Sequence, residues 1–398
     1  MNNRFIYLDH AATTAMRPEV FKAMQPYFIE KYGNPSSIYS LARDGKKAME
    51  GARDKVAGTL GARAEEIFFT GSGTEADNWA IIGVAYANKF KGNHIITTSI
   101  EHHAVLNTCK YLEGDGFEVT YLPVDENGLV TPEQVERAIK PNTILISIMF
   151  ANNEIGTIQP IAEIGKLARK KGIYFHTDAV QAVGNVSINV EEMSIDLLSL
   201  SGHKFYGPKG IGSLYIRKGV KINTFLHGGA QESGRRASTE NVPAIVGLGK
   251  AIELAISNIE EQSRKLTVLR DRAIDEVMSK IPYVKLNGHR TQRLPGNVNF
   301  SFEFIEGESV LLMLDMKGIA ASTGSACTYG SIDPSHILLA IGVSPELANG
   351  SLRLTFGEEN TQENVDYLLE VLPAIVERLR EMSPLNEGVE GGNKSYAV

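Results

Sequence analysis

The chain has 398 residues, 43% hydrophobic and 22% charged, with 40 basic against 47 acidic side chains and a net charge of −7. That length leaves room for two cores at roughly 100–200 residues per domain, and the acidic balance argues against general nucleic-acid binding. No apolar run approaches the roughly 18–20 residues of a membrane span, the first residues lack the apolar stretch of a signal peptide, and the two cysteines, Cys109 and Cys327, suit a reducing compartment, so a cytoplasmic location is expected.

In chain order, the first segment that carries chemistry is 68–78, a short strand running through Gly71-Ser72-Gly73-Thr74 into a helical pattern. A helix N-terminus offers free N–H groups and a positive dipole to an anion. Gly73, through its backbone, and Thr74, through its hydroxyl, are therefore candidate phosphate ligands, although plain helix capping would use the same residues. A strand at 94–98 leads into Glu101-His102-His103, where one imidazole can stack on a ring and exchange protons near neutral pH. Cys109 falls in the helical pattern that follows and reads as a packing residue. Strands at 118–124 and 143–150 come next, the second closing on Asn152-Asn153-Glu154. A helix at 160–171 precedes a strand at 174–177 that delivers Asp178 at its carboxyl end, where open α/β sheets bind ligands. A carboxylate there can pair with the pyridinium nitrogen of pyridoxal phosphate (PLP) or cap the next segment. Gln181, a little further on, can donate to the ring's phenolate oxygen.

An apolar run at 196–200 ends in Ser201-Gly202-His203-Lys204. A lysine amine favoured in its neutral form by apolar and cationic neighbours can form a Schiff base with an aldehyde cofactor and later act as a base. Ser201 and His203 can hold a phosphate, with Gly202 allowing close backbone approach. A long helical stretch at 242–280 then links to strands at 284–286, 297–302, 319–322 and 351–355. Between the last two, Cys327 lies among small, mostly uncharged residues, a setting that suits a mobile nucleophile better than a disulfide or a metal site. Arg353, in the alternating strand, offers a planar fork for an α-carboxylate; a plain ion pair is the alternative. The expected plan is a large domain at 15–260 with a mostly parallel sheet of seven-stranded type, a smaller α+β domain formed by 1–14 and 261–385 that carries the cysteine loop, and a polar tail at 386–398.

Taken together, Thr-Glu after the Gly-rich turn, Glu-His, Asn-Asn-Glu, Asp-x-x-Gln, Ser-Gly-His-Lys and the run around Cys327, with Gly33-Asn34-Pro35-Ser36-Ser37 upstream, resemble the cysteine desulfurases of the NifS/IscS type, in the class V group of PLP enzymes. The resemblance runs from about Tyr7 to Leu385. It implies the α/β architecture called PLP fold type I and a homodimer. Lys204 would carry the cofactor, Asp178 the pyridine nitrogen, His102 the ring face, and Asn153 and Gln181 the ring substituents. Gly73, Thr74, Ser201 and His203 would hold the phosphate, joined by Thr239 from the other subunit. Asn34 and Arg353 would take the carboxylate of L-cysteine. Cys327 would accept its sulfur as a persulfide, leaving alanine, and pass that sulfur to an iron-sulfur scaffold or a sulfur-relay protein; with a scaffold, Cys327 could transiently share a cluster iron. Two departures from the family pattern are His10 in Leu8-Asp9-His10-Ala11-Ala12 and Tyr329 in place of a common Ser. An aminotransferase or selenocysteine lyase of the same group would share Lys204 and Asp178 without needing Cys327.

Overall fold

The computed structural model describes residues 5–323 and 334–383; Cys327, Tyr329 and the tail at 386–398 lie outside the described residues. In chain order the first elements are β1 (Ile6–Tyr7), α1 (Pro18–Met24), α2 (Pro26–Ile29) and α3 (Ser40–Leu60), followed by β2 (Ile67–Thr70), α4 (Gly73–Asn88), β3 (His94–Thr98), α5 (His103–Gly114) and β4 (Glu118–Leu122). Then come α6 (Pro132–Ala138), β5 (Thr143–Ser147), α7 (Ile161–Lys171), β6 (Tyr174–Asp178), β7 (Leu197–Ser201) and β8 (Gly212–Ile216). The remaining elements are α8 (Val242–Ser257), α9 (Ile259–Lys280), β9 (Val284–Leu286), β10 (Asn297–Phe302), α10 (Gly307–Asp315), β11 (Ile319–Ala320), α11 (His336–Ala340), α12 (Pro345–Asn349), β12 (Ser351–Thr355) and α13 (Gln362–Met382).

Seven of the described strands form one sheet in the order β2-β8-β7-β6-β5-β3-β4. The pairings from β7 through to β4 are parallel, and β8 is antiparallel to both of its neighbours. Parallel strands need helical crossovers, so both faces of such a sheet are covered. That explains why β3, β5 and β7 are buried at every position and read as near-continuous apolar or small-residue runs. One face packs Phe69, Ile146, Phe175 and Leu200 against Val56 of α3 and Leu248 of α8. On the other, Leu145, Ile95 and Leu214 meet Trp79 and Val84 of α4. Because α4 is buried on most of its circumference, it shows little amphipathic pattern, as expected for a helix enclosed on several sides.

A second sheet, β12-β10-β9, is antiparallel, and β1 pairs in parallel with β11. Its core gathers Leu269 and Ala273 of α9, Phe300, Leu354 and Leu368, with Ile6 and Leu8 of the N-terminal arm packed among them. The helical stretch expected at 242–280 is two helices that meet at a 71° bend. Asn258 makes the break, with φ −133° and ψ 23°; asparagine competes with helix hydrogen bonding through its own side chain and favours such junctions. The bend turns the chain from the large sheet towards the small one. No single described helix is long and apolar enough to cross a membrane.

Candidate active site

Five of the seven strands deliver a candidate residue just beyond their carboxyl ends, and this follows from the parallel order of the sheet. β2 leads to Gly73 and Thr74, β3 to His102, β5 to Asn153, β6 ends on Asp178, and β7 ends on Ser201 before a single turn of 3₁₀ helix, Gly202–Lys204. With these residues Gln181, His203 and Arg353 line one cavity of about 300 Å³. A larger cavity of about 480 Å³ shares Gln181 and Lys204 with it but lacks Asp178, His102, Arg353 and the glycine turn, so the chemical groups converge in the smaller one.

At the glycine-turn end, Ser72 caps α4 by accepting the Glu75 N–H at 3.1 Å, which leaves the first-turn amides of Gly73 and Thr74 facing the cavity they line. A Cβ on Gly73 would come within 2.6 Å of Val180 Cγ2, so only glycine fits. His203 sits opposite, its Nδ1 3.1 Å from Thr13 Oγ1. Burial, then the Lys204 and Lys209 cations, pushes His203 down to about 4, and at neutral pH it acts as a neutral donor or acceptor.

At the end of β6, Asp178 is 6% exposed and accepts the Val180 N–H at 2.9 Å through Oδ1. Burial raises its pKa, while His102 and Lys204 pull it back towards the charged form. Asp77 of α4 lines the same cavity and is buried; burial and then the Asp178 charge hold its carboxyl well above the ordinary range. Two adjacent buried acids do not both ionise, and Asp178, the one of the pair that feels the Lys204 cation, is the better placed to keep the charge. Behind them His176 bridges Ser147 Oγ at 2.8 Å and Ser199 Oγ at 3.0 Å and is held neutral, its pKa pushed down to about 3 by burial. His102 caps α5 by accepting the Ala104 N–H at Nδ1, 3.1 Å, so its free proton belongs on Nε2. Burial lowers its pKa against the opposing pull of Asp178.

Lys204 Nζ donates to the carbonyls of Ala11 and Ala12 at 2.6 and 2.8 Å, and Gln181 Nε2 donates to Ala11 at 2.9 Å. The N-terminal arm thus forms part of the cavity wall. Tyr206, two residues past the lysine, is held at φ 63° by Thr14 Oγ1, which accepts its N–H at 2.8 Å, and by the Glu358 N–H, which donates to its phenol oxygen. A left-handed tyrosine is strained and persists only where its surroundings fix it.

Arg353 is 3% exposed. Its Nη2 donates to Asp9 Oδ1 at 2.8 Å and its Nη1 to the Asn153 carbonyl at 3.2 Å, while Nε has no hydrogen-bond partner among the described residues. A buried donor left over in a cavity wall is what an incoming carboxylate would satisfy. Asn34 is exposed, with its Oδ1 accepting the Ser36 N–H, and does not line this cavity. Thr239 lines a separate one of about 190 Å³ with Gly71 and Arg236, where Arg236 forks onto Glu75 at 2.8 and 3.1 Å. Asp9, Asp77 and the carbonyls of Ala11 and Ala12 had no assigned role in the sequence reading; the acid five residues into the helix after the Gly-rich turn was the one available signal, for Asp77.

The family profile described as Aminotransferase class-V matches residues 6–368. A Methanosarcina thermophila protein named cysteine desulfurase IscS is 63% identical over 96% of this chain and 95% of its own length. The chain belongs to the cysteine desulfurases of the class-V aminotransferase family. Among solved structures, a NifS-like protein covers 94% of this desulfurase-family chain and 100% of its own, at 39% identity and a TM-score of 0.89. A structure titled SspA in complex with cysteine covers 88% and 98%, at 41% identity and a TM-score of 0.80.

Proposed function

We propose that this cysteine desulfurase moves the sulfur of L-cysteine to Cys327, releases L-alanine and hands the sulfur to a partner protein. The observation that carries the reading is the single cavity lined by Lys204, Asp178, His102 and the buried fork of Arg353. Its donor set fits PLP: amides and hydroxyls of Gly73, Thr74 and Ser201 with His203 for a phosphate, Asp178 for a ring nitrogen, Asn153 and Gln181 for ring substituents. PLP, when bound, supplies a protonated ring that draws electrons from the substrate's α-carbon. Lys204 would hold the group through its amine, and the same amine is the base that would take the substrate's α-proton. Arg353 orients the substrate carboxylate through Nε and the fork. His102, neutral, would offer the group its Nε2 proton. The thiolate of Cys327 attacks the substrate sulfur; the sulfur–sulfur bond forms as the carbon–sulfur bond breaks, and the carbon that keeps the pair takes up a proton to give alanine.

Cys327 lies outside the described residues, but the described residues on either side of its segment are tied to elements that carry the site. Ser322 exchanges backbone hydrogen bonds with Arg353, and Ser335 Oγ donates to Glu154 Oε2 at 2.8 Å. We place Thr239 on the phosphate of a neighbouring subunit, a role consistent with its cavity being separate in this chain, and keep Asn34 as a carboxylate ligand on the family resemblance alone. An iron-sulfur scaffold or sulfur-relay protein in the cytoplasm is the proposed acceptor, with Cys327 sharing cluster iron transiently when a scaffold docks.

The test is to give the purified, PLP-loaded protein L-cysteine and measure alanine and sulfide, mapping any persulfide by mass spectrometry. Alanine with persulfide on Cys327, both lost in Lys204→Ala and the persulfide lost in Cys327→Ala, is the expected result. Full alanine turnover by Cys327→Ala would overturn the role of the thiol and favour a lyase that expels sulfur without it.

A further inference from the structure

Residues 152–157, which follow β5 and carry Asn153, are clasped from the side of the small sheet at four successive carbonyls. The Asn153 carbonyl accepts from Arg353 Nη1 at 3.2 Å and from Asn297 Nδ2 at 3.4 Å. That of Glu154 accepts from Asn299 Nδ2 at 3.3 Å, that of Ile155 from Arg293 Nη2 at 2.5 Å, and that of Gly156 from the Leu294 N–H at 2.9 Å. The donors therefore sit on β10, on the segment leading into it, and on β12. The acceptors sit on a loop of the large sheet.

Arg293 is the unusual member. It is 3% exposed, makes no ion pair among the described residues, and spends Nη2 on two carbonyls, Ile155 and Asn287, the second at 2.6 Å. Its Nε and Nη1 have no partner among the described residues. Burial and the neighbouring Arg270 and Arg290 cations push it down to about 9, which leaves it charged at neutral pH. Burying a cation against carbonyls alone is costly, and an apolar side chain of similar length would fill the same space without that cost. What the guanidinium adds is a rigid bridge between the Asn287 and Ile155 carbonyls.

We infer that Arg293 is a positioning residue of the active site: by fixing the Ile155 carbonyl it holds the loop on which Asn153 meets the ring and Arg353 finds its second anchor. The inference rests on Arg353 and Asn153 having the roles proposed above. A loosened loop would leave the lysine and aspartate chemistry in place but misalign the carboxylate fork and one ring contact, and small misplacements at such sites are amplified in rate and binding.

The experiment compares PLP-loaded wild type with Arg293→Met and Arg293→Lys, reading KM and kcat for L-cysteine, the visible absorption of the bound cofactor, and Tm. Arg293→Met is expected to raise KM about tenfold or more, with a smaller change in kcat and a shifted absorption band. Arg293→Lys, which keeps a cation and a donor, should recover part of both. If Arg293→Met lowers Tm yet keeps the wild-type KM and spectrum, the residue is merely structural and the inference is wrong. Should that variant not fold, Asn299→Ala, which unlatches the adjacent carbonyl, is judged by the same readouts. A loaded wild type that yields no alanine would sink the desulfurase reading instead, and the spectral change on adding L-cysteine to each variant would still decide the role of the clasp.

Discussion

Asp9 holds Arg353 from the N-terminal arm, Oδ1 to Nη2 at 2.8 Å, across 344 positions of sequence. This contact leaves Nε of the guanidinium without a partner among the described residues. The acid thus orients the fork without occupying all of it. Replacing Asp9 by Ala removes the charged partner of a buried cation and frees the side chain to rotate. KM for L-cysteine should rise about tenfold or more, since a hydrogen bond to a charged group is worth about 1.5–3 kcal/mol. Steady-state kinetics on loaded enzyme would check this; an unchanged or lower KM would mean that Asp9 competes with the substrate rather than positioning its ligand.

Gly73 tests the proposed phosphate cradle. Its added methyl would stand 2.6 Å from Val180 Cγ2 and 3.3 Å from Ser201 Cβ, so Gly73→Ala must push apart the start of α4 and the segments that end β6 and β7. Overpacking of this kind costs about 1–3 kcal/mol. The expected outcome is weaker cofactor retention, by tenfold or more, measured by dialysis and visible absorbance, alongside a lowered Tm. Wild-type retention with only a lower Tm would remove Gly73 from the cradle.

The residues that end strands were readable in advance, because strand period and terminal position can both be seen in a linear sequence. Asp178 at the end of β6 and Lys204 one turn past β7 are of this kind, and so is the glycine turn before α4. The bend at Asn258 was hidden, since apolar residues recur on both sides of it and periodicity runs straight through. Asp9 and Arg293 were not readable for a different reason. Each acts through a partner far along the chain, brought close only when the two sheets pack, and nothing local marks an acid or an arginine for such a contact. Asn34 and Thr239 are the reverse case: the family motif names them, and the fold of this chain keeps them outside the cavity.

Asp178 is the one acid in the cavity argued to carry charge. Asp178→Asn keeps the shape and the bond from the Val180 N–H but removes the anion under the proposed ring nitrogen. Loss of a single electrostatic partner of the reacting system lowers kcat by about 10²–10³-fold, and that is the expectation here, after normalising to bound cofactor by absorbance. Retention of most of the wild-type kcat would mean that Asp77 carries the charge instead, and Asp77→Asn would then be the damaging change.

Glu101, next to His102, gives a prediction about stability. It is fully buried, with Oε1 accepting from Thr98 Oγ1 at 2.7 Å and from the Met149 N–H at 3.0 Å, while Oε2 has no partner among the described residues. Burial raises its pKa from 4.5 to about 8, the two hydrogen bonds opposing. The folded protein therefore binds more protons than the unfolded chain between those values. The stability this group contributes is present below about 4.5 and is lost as pH rises through about 8. Glu101→Gln preserves the Oε1 contacts and cannot ionise. At about pH 4.5 the variant should match the wild type closely, and at about pH 9 it should be the more stable, by up to about 5 kcal/mol. Glu154, raised to about 7 by burial, contributes in the same direction in both proteins and cancels in the difference. Thermal unfolding of the two proteins at both pH values gives the comparison, and parallel pH dependences would show that Glu101 is ionised in the fold with a partner that offsets its burial.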